Sequence, residues 1–214
     1  MNAVDLMDLS LKFGNYFALK DVNVSFEKGA IHGIVGRNGS GKTVLFKCIC
    51  GLLSNYSGRI MINGEDRRSL KTEKANIGMI IEAPGFVMGY SGYRNLRFLA
   101  DIRHSIRKEN ILNAMRTVGL DPSSKKHVEK YSMGMRQRLG IAQVIMEEPD
   151  MLILDEPMNG LDNAGVDDMR SLFSTLRNQG KTLILASHNP LDIETLCDTV
   201  CEMDAGVLTK KRGF

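Results

Sequence analysis

Two short runs of this 214-residue sequence hold residue types that could do chemistry together. The first is "GRNGSGKT", residues 36–43. Gly36, Gly39 and Gly41 let a backbone wrap closely enough for its N–H groups to face phosphate oxygens. Arg37, Asn38 and Ser40 complete the loop, Lys42 can reach the β/γ-phosphates of a nucleotide, and Thr43 can offer its hydroxyl to Mg²⁺. The apolar run "IHGIVG" precedes this loop and a helical stretch follows it, which is the context the motif requires. That helix adds its positive N-terminal end. The second run is "MLILDEP", residues 151–157. Asp155, at the end of an apolar strand, can hold the shell of the metal, and Glu156 can orient and polarise an attacking water. A strand ending in Asp-Glu says little alone. Behind a complete phosphate loop it points to hydrolysis of a nucleoside triphosphate.

His188 follows "TLILAS" and therefore ends another strand. Ligands of parallel sheets collect at the carboxyl ends of strands, so His188 is assigned to the γ-phosphate or its water, completing a catalytic set with Lys42 and Glu156. A further run, "YSMGMRQRLGIA" at residues 131–142, reads as a helix from Arg136 onward, with Ser132 as its N-cap and Gly134 permitting close approach of another backbone. A helix N-terminus with a hydroxyl and a glycine is a second phosphate-binding device, and one nucleotide does not obviously need two.

These residues need strands to carry them. "VDLMDLSLKF" and "VNVSFE" alternate like strands, and "GRIMINGE" reads as a strand entering an Asn63-Gly64 hairpin turn. "IGMIIEAPGF" predicts a strand over 76–82 with Glu82 at its tip, ended by Pro84 and Gly85. From Ser91 to Met146 the period is helical. Strands return with "MLILD" and "TLILAS", separated by a helix from about Ala164 to Gln179 that Gly180 would cap. Alternating strands and helices imply a parallel sheet, and the helical insert suggests a separate lobe.

Composition excludes several classes. A chain with 43% hydrophobic and 25% charged residues can fold as one globular domain. A formal charge of +3 gives no concentrated basic face, so nucleic acid is not an expected partner. No apolar run has the length of a membrane helix, and "MNAVDLMDLS" has neither the basic start nor the apolar segment of a signal peptide, so a cytoplasmic location is expected. Cys48, Cys50, Cys197 and Cys201 lack zinc-knuckle spacing and are expected as buried free thiols. "SSKKH" and the terminal "KKRGF" are expected as solvated faces.

Taken together, the phosphate loop, the "YSMGM" signature before a QxR helix, the apolar-DE strand, "NGLD" and the strand-end His resemble the ATP-binding subunit of an ABC transporter, over about Val4 to Leu208. The resemblance implies a single α/β ATP-binding domain over 1–214: a P-loop core with an antiparallel β subdomain and an inserted helical subdomain at about 91–146. It implies ATP and Mg²⁺ as cofactors and a head-to-tail homodimer or pseudo-dimer, in which Ser132 and Gly134 act on the partner's nucleotide and Asp162 lies at the dimer contact. An integral-membrane permease subunit would hold the chain at the inner face of the cell membrane. The family also implies an aromatic residue stacked on adenine, here Phe13 with Tyr16 as alternative, and no regulatory C-terminal domain is expected. Two departures stand out. The family's L-S-G-G-Q reads Tyr131-Ser132-Met133-Gly134-Met135 here, and the family's glutamine after the strand at 76–82 is Glu82, expected near the Mg²⁺ as a metal ligand. With "IEAPGF" and "GYRNLR", the chain is most similar to the branch that exports bacitracin- and lantibiotic-type peptides and protects against them. A family ATPase serving a soluble assembly and a nucleotide-gated module with little hydrolysis are the alternative readings.

Overall fold

The computed structural model describes residues 1–70, 75–103 and 106–213. Residues 104 and 105 of the expected helical insert and Phe214 of the terminal run lie outside the described residues. In chain order the elements are β1 (Asn2–Phe13), β2 (Tyr16–Glu27), β3 (Ile31–Val35), α1 (Lys42–Ile49), β4 (Ser57–Ile62), β5 (Glu65–Asp66) and β6 (Ile77–Ile80). They continue with α2 (Gly92–Arg103), α3 (Lys108–Thr117), α4 (Met133–Ile145), β7 (Met151–Asp155), α5 (Asn163–Asn178), β8 (Thr182–Ala186), α6 (Pro190–Leu196), β9 (Thr199–Asp204) and β10 (Val207–Arg212).

The strands form two sheets. One is antiparallel, in the order β2-β1-β4-β5. Its β4–β5 turn uses the expected pair, Asn63 and Gly64, both at positive φ. The other runs β10-β9-β3-β8-β7-β6, parallel except for the edge strand β10. Its central strands carry unbroken apolar runs because both faces are covered. Ile34, Ile153 and Ile184 face α1 and the antiparallel sheet, packing with Phe26, Leu45 and Phe46. Leu152, Leu154, Leu183 and Leu185 face the helices, packing with Leu139, Ile141, Met169 and Phe173.

This parallel register places the chemistry. Ile34 pairs with Ala186, Ala186 with Asp155, and Leu154 with Ile80. The ends of β3, β8, β7 and β6 therefore stand side by side, and each leads directly into a loop that carries a candidate residue.

Three expectations need adjustment. The strand expected over 76–82 is shorter, Ile77–Ile80, because Glu82 takes a left-handed backbone at φ 63° that no strand accepts. The helix expected from Arg136 starts at Met133, directly after its Ser132 cap. Arg212 of the terminal basic run is not simply solvated: its guanidinium donates to the carbonyls of Ile193 and Cys197. The four cysteines are buried and free as expected. Burial pushes the thiols of Cys48, Cys50 and Cys197 up to about 12 and that of Cys201 to about 11.

A buried histidine ties β3 to its neighbours. His32 Nε2 lies 2.8 Å from the carbonyl of Glu27, so this nitrogen carries the proton, and Nδ1 accepts from the Thr199 hydroxyl at 2.7 Å. Burial is the largest influence and lowers its pKa below the ordinary 6.5, although the Glu27 carbonyl works the other way. The unfolded chain therefore binds this proton more readily than the native one. Stability from this site is full above pH 6.5 and falls as the pH drops from there toward the lower native value, with a slope of at most about 1.4 kcal/mol per pH unit. Urea midpoints measured from about pH 7.5 to 5.5 should show that loss, and His32→Gln should flatten it. Parallel curves for the two proteins would remove His32 as the source.

Candidate functional site

The loop between β3 and α1 is shaped by close approach. At Gly36, φ 154°, a Cβ would lie 2.2 Å from the carbonyl oxygen of Met203, so only glycine fits. Gly41 N-caps α1 at φ 116°, and a Cβ there would meet the Ala18 carbonyl at 2.6 Å. The loop is pinned from outside by Gly206 N–H, which donates to the Ser40 carbonyl. Lys42 Nζ donates to the carbonyls of Gly36 and Arg37 at 2.7 and 3.1 Å, so its ammonium lies across the mouth of the loop. Ser40 Oγ is buried and, among the described residues, is the one buried side-chain polar atom with no partner. A hydroxyl without a partner in a loop of inward N–H groups suits an anionic phosphate.

The adjacent strand ends complete the arrangement. Thr43, at the start of α1, donates its hydroxyl to Asp155 Oδ2 at 2.7 Å across to the end of β7. These are hard oxygen donors, the set Mg²⁺ takes when substrate phosphates fill its remaining positions. Glu156, one residue on, leaves the strand with φ 49°, and its N–H still donates to Ala186 O at 3.0 Å. That left-handed turn costs about 1–3 kcal/mol and is held by its surroundings. It directs the carboxylate to His188, whose Nδ1 lies 2.8 Å from Glu156 Oε2. His188 is largely exposed, so this pair faces the open side of the site.

While Gly36, Arg37 and His188 line a neighbouring cleft, one of about 550 Å³ collects several of these groups. Its wall includes Asn38, Gly39, Lys42, Thr43, Asp155 and Glu156. Phe13 and Tyr16, cross-strand partners at the β1–β2 turn, line the same cleft and are half exposed, so both expected aromatic candidates are present. Glu82 also lines it, but its carboxylate accepts from Lys47 Nζ at 2.6 Å. Among the described residues, no three His, Cys, Asp or Glu side chains gather as a metal cage.

Ser132, Gly134 and Asp162 lie elsewhere, in a further cleft with Arg138 and Asp168. Ser132 Oγ caps α4 by accepting from Met135 N at 3.1 Å, and Asp162 Oδ1 caps α5 by accepting from Gly165 N at 3.0 Å. A Cβ on Gly134 would stand 2.8 Å from the Gly160 carbonyl, the close approach expected of it. One side chain absent from the sequence-based site joins the two regions. Gln137 of α4 donates to Pro157 O at 2.9 Å and so holds the loop that carries Glu156. Its signal was the glutamine of the QxR helix, which the fold buries. Lys47 was likewise missed, because nothing in a helical run of mixed residues marks one lysine as the partner of a distant carboxylate.

A phosphate loop, a hydroxyl–carboxylate pair and a carboxylate–imidazole pair at adjacent strand ends define a P-loop nucleoside triphosphatase. The family model described as ABC transporter matches residues 19–159. The chain is 37% identical over 210 residues to the bacitracin transport ATP-binding protein BcrA of Enterococcus faecalis, covering 97% of this chain and 68% of that protein. It is 34% identical over 197 residues to the lantibiotic transport ATP-binding protein SrtF of Streptococcus pyogenes, covering 91% and 84%. Its fold also matches a dimeric ATP-binding cassette solved in a post-hydrolysis state bound to ADP and Pi, with TM-score 0.86, 19% identity and 99% of each chain covered. The chain belongs to the ABC transporter family. It binds ATP and is the ATP-hydrolysing component of a transporter.

Proposed function

We propose that this chain powers a separate membrane permease that exports peptide antibiotics of the bacitracin or lantibiotic type and thereby protects the cell. The observation that carries the hydrolytic part is the convergence of Lys42, the Thr43–Asp155 pair and Glu156 on one cleft, with His188 bonded to Glu156 from a neighbouring cleft that Gly36 and Arg37 also line. Similarity to the bacitracin and lantibiotic transport proteins, each over more than nine-tenths of this chain, supports the cargo class.

Within the cleft each residue has a task. The N–H groups of residues 36–43 and the Lys42 ammonium hold the phosphates, and Phe13 or Tyr16 covers the adenine. Thr43 and Asp155 would hold Mg²⁺, which when bound neutralises charge that develops on the phosphates. Glu82, already neutralised by Lys47, would be at most an outer contact of that ion. Glu156 takes the proton of the attacking water, and His188 keeps the carboxylate aimed. Two copies would meet head to tail, each offering Ser132 and Gly134 to the other's nucleotide, with Asp162 at the contact. In one chain Ser132, Gly134 and Asp162 line a different cleft from Lys42 and Thr43, although Met133 beside them reaches the P-loop cleft, and this placement supports the arrangement.

The α2, α3 and α4 region, within about 91–146, is read as the helical subdomain of a single domain. On α2 it exposes Phe98 and Ile102, one turn apart, and Phe98 meets Tyr90 edge-on at 5.2 Å with the Arg94 guanidinium over both rings, a mixed apolar and basic surface suited to a membrane partner. No helix of the described residues is long and apolar enough to cross a membrane. The likeness to transport ATP-binding proteins supports a place at the inner face of the cell membrane, held there by the permease.

The test is antibiotic susceptibility of the host cell. Deleting the gene should lower the inhibitory concentration of bacitracin or of a lantibiotic, on the order of several-fold. Wild-type protein should restore it, and Glu156→Gln protein should not. Unchanged susceptibility to both peptide classes, with ATPase activity intact in the purified protein, would leave the enzyme standing and overturn the cargo.

A further inference from the structure

We propose that Ser187, Asp192 and Arg170 form a positioning chain that sets the place of His188, a role that rests on the reading of His188 given above. His188 sits in a short turn between β8 and α6, largely exposed, with its Nδ1 2.8 Å from Glu156 Oε2 and its backbone N–H donating to the same oxygen at 3.4 Å. An exposed imidazole in a loop would wander unless its backbone is fixed. The residues on either side of it are fixed by one hydroxyl. Ser187 Oγ accepts from Asn189 N–H at 3.1 Å, and it donates its own proton to Asp192 Oδ2 at 3.3 Å. Both Ser187 and Asp192 are buried, so water does not compete for these bonds.

Asp192 lies on the first turn of α6 and is 2% exposed. A carboxylate so buried needs a charged partner, and Arg170 of α5 supplies it. Arg170 Nη2 donates to Asp192 Oδ1 at 2.6 Å and Nε to the same oxygen at 3.2 Å, while Nη1 reaches Asp167 at 3.1 Å. The chain therefore runs from α5, whose N-cap is Asp162, through two buried side chains to the peptide that carries the imidazole. None of these three side chains lies among the groups assigned to the nucleotide. They act through His188, by holding its Cα where Nδ1 meets Glu156.

The test is Ser187→Ala, since removing a carboxylate or guanidinium from the buried ion pair could unfold the protein. Ser187→Ala should lower kcat for ATP about tenfold while KM stays close to wild type and the protein stays folded, because a small displacement at the reacting centre is read mainly in turnover. The deciding arm combines Ser187→Ala with His188→Ala and follows single-turnover hydrolysis. If Ser187 acts through His188, adding Ser187→Ala to His188→Ala should change the rate less than about twofold. An equal drop on both backgrounds, a rise in KM with kcat kept, or no effect of Ser187→Ala where His188→Ala slows hydrolysis would each overturn the positioning role. If His188→Ala itself leaves kcat unchanged, the reading of His188 fails first and the positioning chain falls with it.

Discussion

Glu156→Gln should bind ATP and hydrolyse it about 10²–10⁴-fold more slowly than wild type. The amide keeps the size of the side chain and can still bond His188, so the fold and the left-handed turn at φ 49° should survive. What it loses is the capacity to take a proton from water. That loss corresponds to about 3–5 kcal/mol of activation free energy. Because the phosphate loop and the Thr43–Asp155 pair are untouched, ATP should remain in place. The nucleotide-bound dimer should then accumulate and elute earlier on size-exclusion chromatography with ATP than with ADP. Turnover within a few-fold of wild type would remove Glu156 from its task.

Mixing two inactive proteins should restore hydrolysis. Lys42→Ala removes the ammonium that lies over the loop carbonyls, and Ser132→Arg fills the N-terminus of α4 with a bulky cation. Each alone should be nearly inactive. If the sites are composite and head to tail, a mixed dimer has both lesions in one site and none in the other. With random pairing at equal amounts, half of the dimers are mixed and half of their sites intact, so up to about a quarter of wild-type turnover returns. Differently tagged copies establish that mixed dimers form. Their formation without any recovered hydrolysis would defeat the head-to-tail arrangement. The two clefts of one chain already separate Ser132 from Lys42, and this experiment asks whether a second copy brings them together.

Much of the site was legible because each motif is local. The spacing of Gly36, Gly39 and Gly41 before Lys42 and Thr43 specifies a loop whose backbone conformation any other residue would resist. Apolar runs ending in Asp155 and just short of His188 specify strands buried on both faces, and such strands place their ends in one row. Ser132 and Asp162 announce themselves as helix caps, since their oxygens bond N–H groups only three residues away. The strand-end position of His188 was legible, and its assignment there was to the γ-phosphate or its water; the 2.8 Å contact with Glu156 came only from the structure.

The phosphate loop, the acidic strand end, the α/β class and the helical stretch between its strands could be read from residue order, because periodicity and loop chemistry act over a few residues. The contacts made across the fold emerged when the elements packed. Glu82 turned out to face Lys47 at 35 residues' remove, Gln137 to brace the loop of Glu156, and Arg170 to meet Asp192 behind His188. No local pattern encodes these pairs. A charged or amide side chain finds its partner only when packing removes water from around it, and which partner stands there depends on how separate helices seat against the finished sheet.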